Sequence, residues 1–255
     1  MKGLRVLNTR PLHQAAELDQ LIRNAGGISV SFPALTIKAL ALDWLNDMPD
    51  LATVNQAIFI SANAVNYYFA ALKQANMTWS VKIKVIAVGN ATAAALSKQG
   101  VRIHHMPEIA DSEHLLRLDA LQKIQHQTIV LIKGRGGRPL IAETLLSRGA
   151  CLIPLAVYTR DLPEVNQEYT HSLWQDDAVD IILFTSQQAM NNLFGLFSAE
   201  GQAWLRRKPC IVISKRLAAA ASLLGIRTVI TCRYDEILEA LSRYMKKIFS
   251  PIRSG

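Results

Sequence analysis

The chain has 255 residues, of which 50% are hydrophobic and 19% charged, a composition that supports packed cores and excludes a disordered chain. Its longest apolar stretch, residues 217–226, is broken by Ser222 and Gly225 and falls well short of the roughly 20 residues of a membrane span. The opening MKGLRVLNTRP has too short an apolar run for a signal peptide, so a cytoplasmic protein without membrane association is expected. The formal net charge of +8 favours anionic partners. With no basic helix carrying interleaved aromatics, nucleic acid is not expected among them. Cys151, Cys210 and Cys232 lack CxxC spacing, which argues against a zinc site or disulfide framework and predicts buried, reduced thiols.

In chain order the pattern is strand, turn, helix, repeated. Leu4–Leu7 is a predicted strand, and Pro11 suits the first helical position of a helix whose Leu12, Ala15, Leu18, Ile22 and Ala25 share a face. Gly26-Gly27 stops that helix, and Ile28–Phe32 is the next strand. Strand Ala57–Ile60 leads to helix Ala62–Gln74, and strand Lys84–Val88 to helix Asn90–Lys98 with Gly100 as its stop. Val101–His105 is a further predicted strand, and Ser112 is the expected cap of a helix with Glu113 in its first turn. Strand Thr128–Ile132, helix Pro139–Ser147 and strand Cys151–Val157 follow. A helix after Pro163 leads to strand Asp180–Phe184 and helix Gln187–Phe197. Strand Cys210–Ile213, helix Leu217–Leu224, strand Arg227–Thr231 and an amphipathic helix Glu236–Lys247 complete the series. Strands alternating with helices predict parallel sheets covered on both faces.

An internal repeat runs through this series. Phe59-Ile60-Ser61 and Phe184-Thr185-Ser186 both end a strand with a hydroxyl, and 184 − 59 = 125. Ile86-Ala87-Val88 and Ile211-Val212-Ile213 share that offset, as do Gly100 and Gly225 (225 − 100 = 125). A duplication predicts two similar domains. The repeat leaves two layouts open: a cut near residue 126, or a swapped arrangement in which the first βαβ unit completes the second domain.

In doubly wound sheets, ligands bind beyond the carboxyl ends of strands. The residues expected there are Thr9 and Arg10; Ser61, Ala62 and Asn63; Gly89; Lys133 through Arg138; Thr185, Ser186 and Gln187; and Ser214 and Lys215. Small, hydroxylic and glycine residues before a helix either cap it or leave backbone N–H groups for an anion. Two sets of such ends facing each other across a cleft would make a carboxylate-binding surface. Lys133-Gly134-Arg135-Gly136-Gly137-Arg138-Pro139 is the sharpest local motif, with three glycines and three cations. It lacks the GK[ST] of a phosphate-binding loop, and Pro139 stands where a dinucleotide fingerprint needs its third glycine. No GxSxG or HExxH occurs; His104-His105 and Asp176-Asp177 read as solvated groups.

Several segments resemble the uroporphyrinogen-III synthase family: VLNTRPLHQAAELDQLIRNAGG, FISANAV, AVGNATAAALSKQGV, DSEHLL, IKGRGGRPLIAETLLSRGA, IPLAVYTRDLP, FTSQQAMNNL and ISKRLAAAASLLGI. Their order and spacing cover nearly the whole chain. Ile60 stands where a threonine is frequent in that family, and Ser214-Lys215 replaces the Gly/Thr-rich turn of some members.

The resemblance implies an α/β fold of two similar doubly wound, flavodoxin-like domains joined by a two-stranded linker, with the N-terminal unit completing the C-terminal domain. The implied boundaries are 1–34 plus 163–248 for the discontinuous domain and 38–157 for the inserted one, with linkers at 35–37 and 158–162 and a tail at 249–255. It implies a monomeric cyclising lyase that needs no metal or cofactor. Its substrate would be hydroxymethylbilane, received by transient handover from hydroxymethylbilane synthase. The candidate substrate-binding residues are Thr9, Arg10, Ser61, Ala62, Asn63, Gly89, Lys133, Gly134, Arg135, Gly136, Gly137, Arg138, Thr185, Ser186, Gln187, Ser214 and Lys215. Tyr158, from the family's VY segment, is the candidate proton donor. A solute receptor that clamps anions without chemistry, and a regulatory domain that binds DNA in a salt-sensitive way, are the competing readings.

Overall fold

The computed structural model describes residues 1–249. The chain runs β1 (Arg5–Asn8), α1 (Leu12–Asn24), β2 (Ile28–Ser31), β3 (Thr36–Ala39), β4 (Gln56–Phe59), α2 (Ala62–Gln74), β5 (Lys84–Ala87), α3 (Asn90–Lys98), α4 (Ser112–Leu115) and β6 (Thr128–Gly134). It continues α5 (Leu140–Ser147), β7 (Cys151–Asp161), α6 (Gln167–Gln175), β8 (Ile181–Phe184), α7 (Gln187–Leu196), α8 (Ala199–Arg207), β9 (Cys210–Val212), α9 (Lys215–Leu223), β10 (Val229–Thr231) and α10 (Ile237–Phe249). Two compact units result. Unit 1 comprises residues 1–36 and the chain from Asp161 onward; unit 2 is Ile37–Arg160.

The unit 1 sheet has the order β2-β1-β8-β9-β10, with every neighbouring pair parallel. Counted along the chain this is 2-1-3-4-5, the flavodoxin-like winding, whose order reverses at β1 and β8. The unit 2 sheet has the order β5-β4-β6-β7-β3, with β5-β4, β4-β6 and β6-β7 parallel. Counted from β6, its strands β7-β6-β4-β5 repeat the 2-1-3-4 part of unit 1, with β3 added at the edge beside β7, so its reversal lies at β6 and β4. Strands β4 and β8 begin 125 residues apart (181 − 56 = 125), and every residue of both is buried. Parallel strands covered on both faces read as unbroken apolar runs, as IILF does in β8.

Each unit 2 helix covers one face of its sheet. Ala57 and Phe59 pack with Val65 and Tyr68 of α2 and Leu96 of α3. Ile58, one residue on in the pleat, joins Leu131 and the α5 residues Ile141 and Leu145 on the other face. In unit 1, Val6, Ile181, Leu183 and Ile211 pack under Leu18 and Ile22 of α1 and Leu241 of α10.

Several expectations need correction. Val101–His105 is not a strand; only the bridge Ile86–His105 forms there. The His104 imidazole accepts the Val85 N–H at 3.0 Å, taking the place of a ladder carbonyl and breaking the strand pattern. That histidine is therefore engaged, although exposed. The α4 cap is Asp111, whose carboxylate accepts the His114 N–H at 2.7 Å, and not Ser112. Pro11 is the N-cap of α1, one position before the first helical residue.

Cys151 is exposed at the start of β7, whereas Cys210 and Cys232 are buried. Asp177 stays exposed in the turn after α6, as expected of a solvated turn residue, and there accepts from the Trp204 indole at 2.6 Å and pairs with the Lys208 ammonium at 2.5 Å. The two-stranded linker implied at 35–37 and 158–162 takes the form of neighbouring sheet strands, since β3 spans Thr36–Ala39 and β7 runs to Asp161 beside it. Helix α8, capped by Ser198, was not anticipated. Of the expected tail, residues 250–255 lie outside the described residues.

Candidate functional site

At the reversal point of unit 2, Phe59 of β4 and Ile132 of β6 are in register, so the chain leaves these strands side by side as Ser61 and Gly134. Strand β7 lies on the other side of β6. Its register slips by one residue: Lys133 faces Ala156, and Gly134 then faces Tyr158. The extra residue, Val157, reverses the alternation locally, and bulges of this kind re-aim a side chain. Here the result is that the Tyr158 ring lies against Gly134. A Cβ on Gly134 would stand 2.6 Å from Tyr158 Cζ, so only glycine fits without displacing the ring.

The Tyr158 hydroxyl is 3.1 Å from Ser61 Oγ and accepts a hydrogen bond from Arg160 Nη2 at 3.0 Å. The Arg160 guanidinium carbon lies 5.5 Å from the Tyr158 ring centroid. Tyr67 stacks on Tyr158 with centroids 5.8 Å apart and donates its own hydroxyl to Ile37 O at 2.9 Å. Burial, and next the neighbouring Tyr158, raise the Tyr67 phenol above its ordinary range. Tyr158 itself is wholly buried, while Arg160 is exposed.

Ser61 also caps α2, accepting the Ala64 N–H at 3.0 Å. Ala62 and Asn63 follow as the first residues of the helix and are partly exposed. Gly89 is the cap position of α3 and is buried; a Cβ there would meet Ala110 Cβ at 2.6 Å. Its glycine is thus explained by the close passage of the Ala110 loop. Lys133 is half-buried, and Arg135, Gly136, Gly137 and Arg138 are exposed. Gly136 and Gly137 take φ of 76° and 90°, which a side chain would resist. Arg138 pairs with Glu113 at 2.9 Å.

In unit 1 the serine caps recur after β8 and β9. Ser186 and Ser214 cap α7 and α9, accepting the Ala189 N–H at 3.1 Å and the Leu217 N–H at 3.3 Å. Thr185 is partly buried, and Gln187 and Lys215 are exposed at the first helical positions. Thr9 is completely buried, and its hydroxyl donates to Leu183 O at 2.8 Å, so it holds β1 to β8 from within the core. The Arg10 guanidinium bonds the Tyr234 hydroxyl and lies 5.1 Å from its ring centroid. Arg10 Nε is buried without a partner among the described residues.

The structure therefore gathers Ser61, Gly134 and Tyr158 into one cluster. The residues missed from sequence are Tyr67 and Arg160. Tyr67 sits on the α2 face that follows Ser61, a signal that helical spacing could have supplied. Arg160 carries no signal beyond its position two residues after Tyr158. Phenol, hydroxyl and guanidinium together can hold a proton at one oxygen and stabilise the charge left when it departs.

The uroporphyrinogen-III synthase of Salmonella typhimurium is 31% identical over 243 residues, which cover 92% of this chain and 99% of that protein. The Escherichia coli K12 protein of the same name is 29% identical with the same coverage. Among solved structures, a mutant uroporphyrinogen III synthase from the extremely thermophilic bacterium Thermus thermophilus aligns with a TM-score of 0.70 at 18% identity, covering 97% of this chain and 100% of its own. The synthetase from Helicobacter pylori 26695 aligns with a TM-score of 0.65 at 14% identity and the same coverage. At these identities the structural matches speak to the fold. The family model described as uroporphyrinogen-III synthase HemD matches residues 16–236, and the chain belongs to the uroporphyrinogen-III synthase family.

Proposed function

We infer that this chain cyclises hydroxymethylbilane, with inversion of ring D and loss of water, to give uroporphyrinogen III. The reading is carried by the Tyr158 phenol, held at the reversal point of unit 2 by Ser61 and Gly134, in a chain that follows the family over residues 16–236. The bilane loses its hydroxyl and closes unaided to the uninverted isomer. The protein's task is therefore to favour one geometry, which is proximity and orientation rather than difficult bond chemistry. No triad or carboxylate pair is needed for that.

In this reading Tyr158 Oη gives its proton to the departing hydroxyl, which leaves as water with the C–O bonding pair. The methylene carbon left behind is a cation stabilised by its pyrrole, and a pyrrole carbon of ring D attacks it. The spiro intermediate rearranges and closes the macrocycle, and the proton released when the pyrrole is restored returns to the phenol oxygen. Bonds are exchanged with no net oxidation, so the reaction as written needs no redox cofactor.

The substrate's carboxylates supply remote binding energy. Their anchors are the helix starts after Ser61, Ser186 and Ser214, the cations of the Lys133–Arg138 loop, and Arg10. Thr9 contributes by fixing the strand that presents Arg10. We place the protein in the cytoplasm as a monomer of two domains that takes its substrate from hydroxymethylbilane synthase. Incubation with freshly generated hydroxymethylbilane, followed by oxidation and separation of isomers I and III, tests the reading. Protein-dependent isomer III is expected, and isomer I alone from folded protein would overturn it.

A further inference from the structure

We propose that Arg160 is the positioning residue for the Tyr158 phenol, a role that rests on the functional reading above. Three facts carry it. Arg160 Nη2 donates to the phenol oxygen at 3.0 Å, and Ser61 Oγ stands 3.1 Å from the same oxygen. The guanidinium carbon is 5.5 Å from the ring centroid, so the charge lies against the ring as well as at its hydroxyl. Among the phenol's partners in unit 2, Gly134 is buried and Ser61 and Tyr67 are partly buried, whereas Arg160 is exposed.

Ser61 Oγ accepts the Ala64 N–H and keeps its own hydrogen to give, and in the proposed arrangement it donates that hydrogen to Tyr158. With Arg160 and Ser61 both donating, the two lone pairs of the phenol oxygen are filled. Its single hydrogen is then the one group left to give, and it points away from both donors. When that proton passes to the departing hydroxyl, negative charge develops on the same oxygen. The guanidinium is already hydrogen-bonded there, so stabilisation requires no reorganisation. The return of the proton at macrocycle closure restores the starting arrangement.

Tyr158 labelled with ¹³C at Cζ provides a readout that does not depend on activity, its resonance being identified by its loss in Tyr158→Phe. Arg160→Gln is expected to shift that resonance in the free protein, and an unmoved resonance overturns the assignment. In turnover, Arg160→Gln should lower kcat about threefold, less than Tyr158→Phe does, with KM within about twofold, and Arg160→Lys should recover part of the loss by keeping the charge. In the Tyr158→Phe background the Arg160→Gln change should cost nothing further. An equal loss in both backgrounds, or a loss confined to KM, overturns the positioning role. Wild-type protein that makes no isomer III overturns the functional reading instead, and the resonance still decides the Arg160 assignment.

Discussion

Gly134 and Tyr158 occupy one space: a Cβ on the glycine would stand 2.6 Å from Cζ, 2.8 Å from Cε2 and 3.0 Å from the hydroxyl oxygen of the tyrosine. The register slip between Lys133 and Gly134 brings the two face to face, so the bulge and the glycine form one device for aiming the phenol. Gly134→Ala should therefore move the ring. We expect a loss of about 1–3 kcal/mol in stability from overpacking. A fall in kcat like that of Tyr158→Phe should accompany it. Urea unfolding and isomer III formation, measured on the same preparation, check this; unchanged kcat would separate the glycine from the phenol.

Ser61 does two jobs where Asn166 does one. Both cap a helix, accepting the Ala64 N–H at 3.0 Å and the Tyr169 N–H at 3.1 Å. Each alanine substitution should cost about 1 kcal/mol. Only Ser61 also meets Tyr158, so only Ser61→Ala should lower kcat as well. Equal kcat in the two variants would leave Ser61 a cap and nothing more.

Acid stability should depend on Asp177. Its carboxyl lies below the ordinary range because of the hydrogen bond from Lys208, then that from the Trp204 indole. A depressed folded-state pKa contributes stability that is complete above the ordinary carboxylate value. That contribution is lost as pH falls through the lower folded value. The urea midpoint should fall as pH is lowered from about 6 to about 3, and Asp177→Asn should flatten part of that slope. A slope identical to wild type would remove this pair from the account.

Thiol reactivity should divide the cysteines. Cys151 is exposed, whereas burial pushes the Cys210 thiol up to about 12 and raises Cys232 as well. Ellman's reagent should therefore modify Cys151 rapidly in native protein, and Cys210 and Cys232 only with urea. Rapid modification surviving Cys151→Ser would contradict the burial of the other two.

The βα grammar was legible because buried parallel strands such as IILF are short apolar runs bounded by caps and glycines. The 125-residue offset located β4 and β8, along with the serine caps at 61 and 186. Helix α8 was not read because its apolar face is narrow, with Trp204 and Leu205 its buried large side chains, although Ser198 followed by Glu200 was a start signal. The 101–105 segment has strand composition, yet a histidine ring takes the place of a ladder bond there, which no propensity records. Tyr158 was found through the resemblance. Its partners depend on a one-residue register slip, which periodicity cannot show, and so Arg160 went unread.

The central claim is that the Tyr158 cluster directs closure of the bilane. Isomer III and isomer I should be quantified over time for wild type and Tyr158→Phe at matched substrate binding. The account predicts isomer III as the wild-type product. For the variant it predicts a rate lower by severalfold, about 1 kcal/mol of barrier, with isomer I rising as unaided closure competes. A Tyr158→Phe protein with wild-type rate and isomer ratio would contradict it.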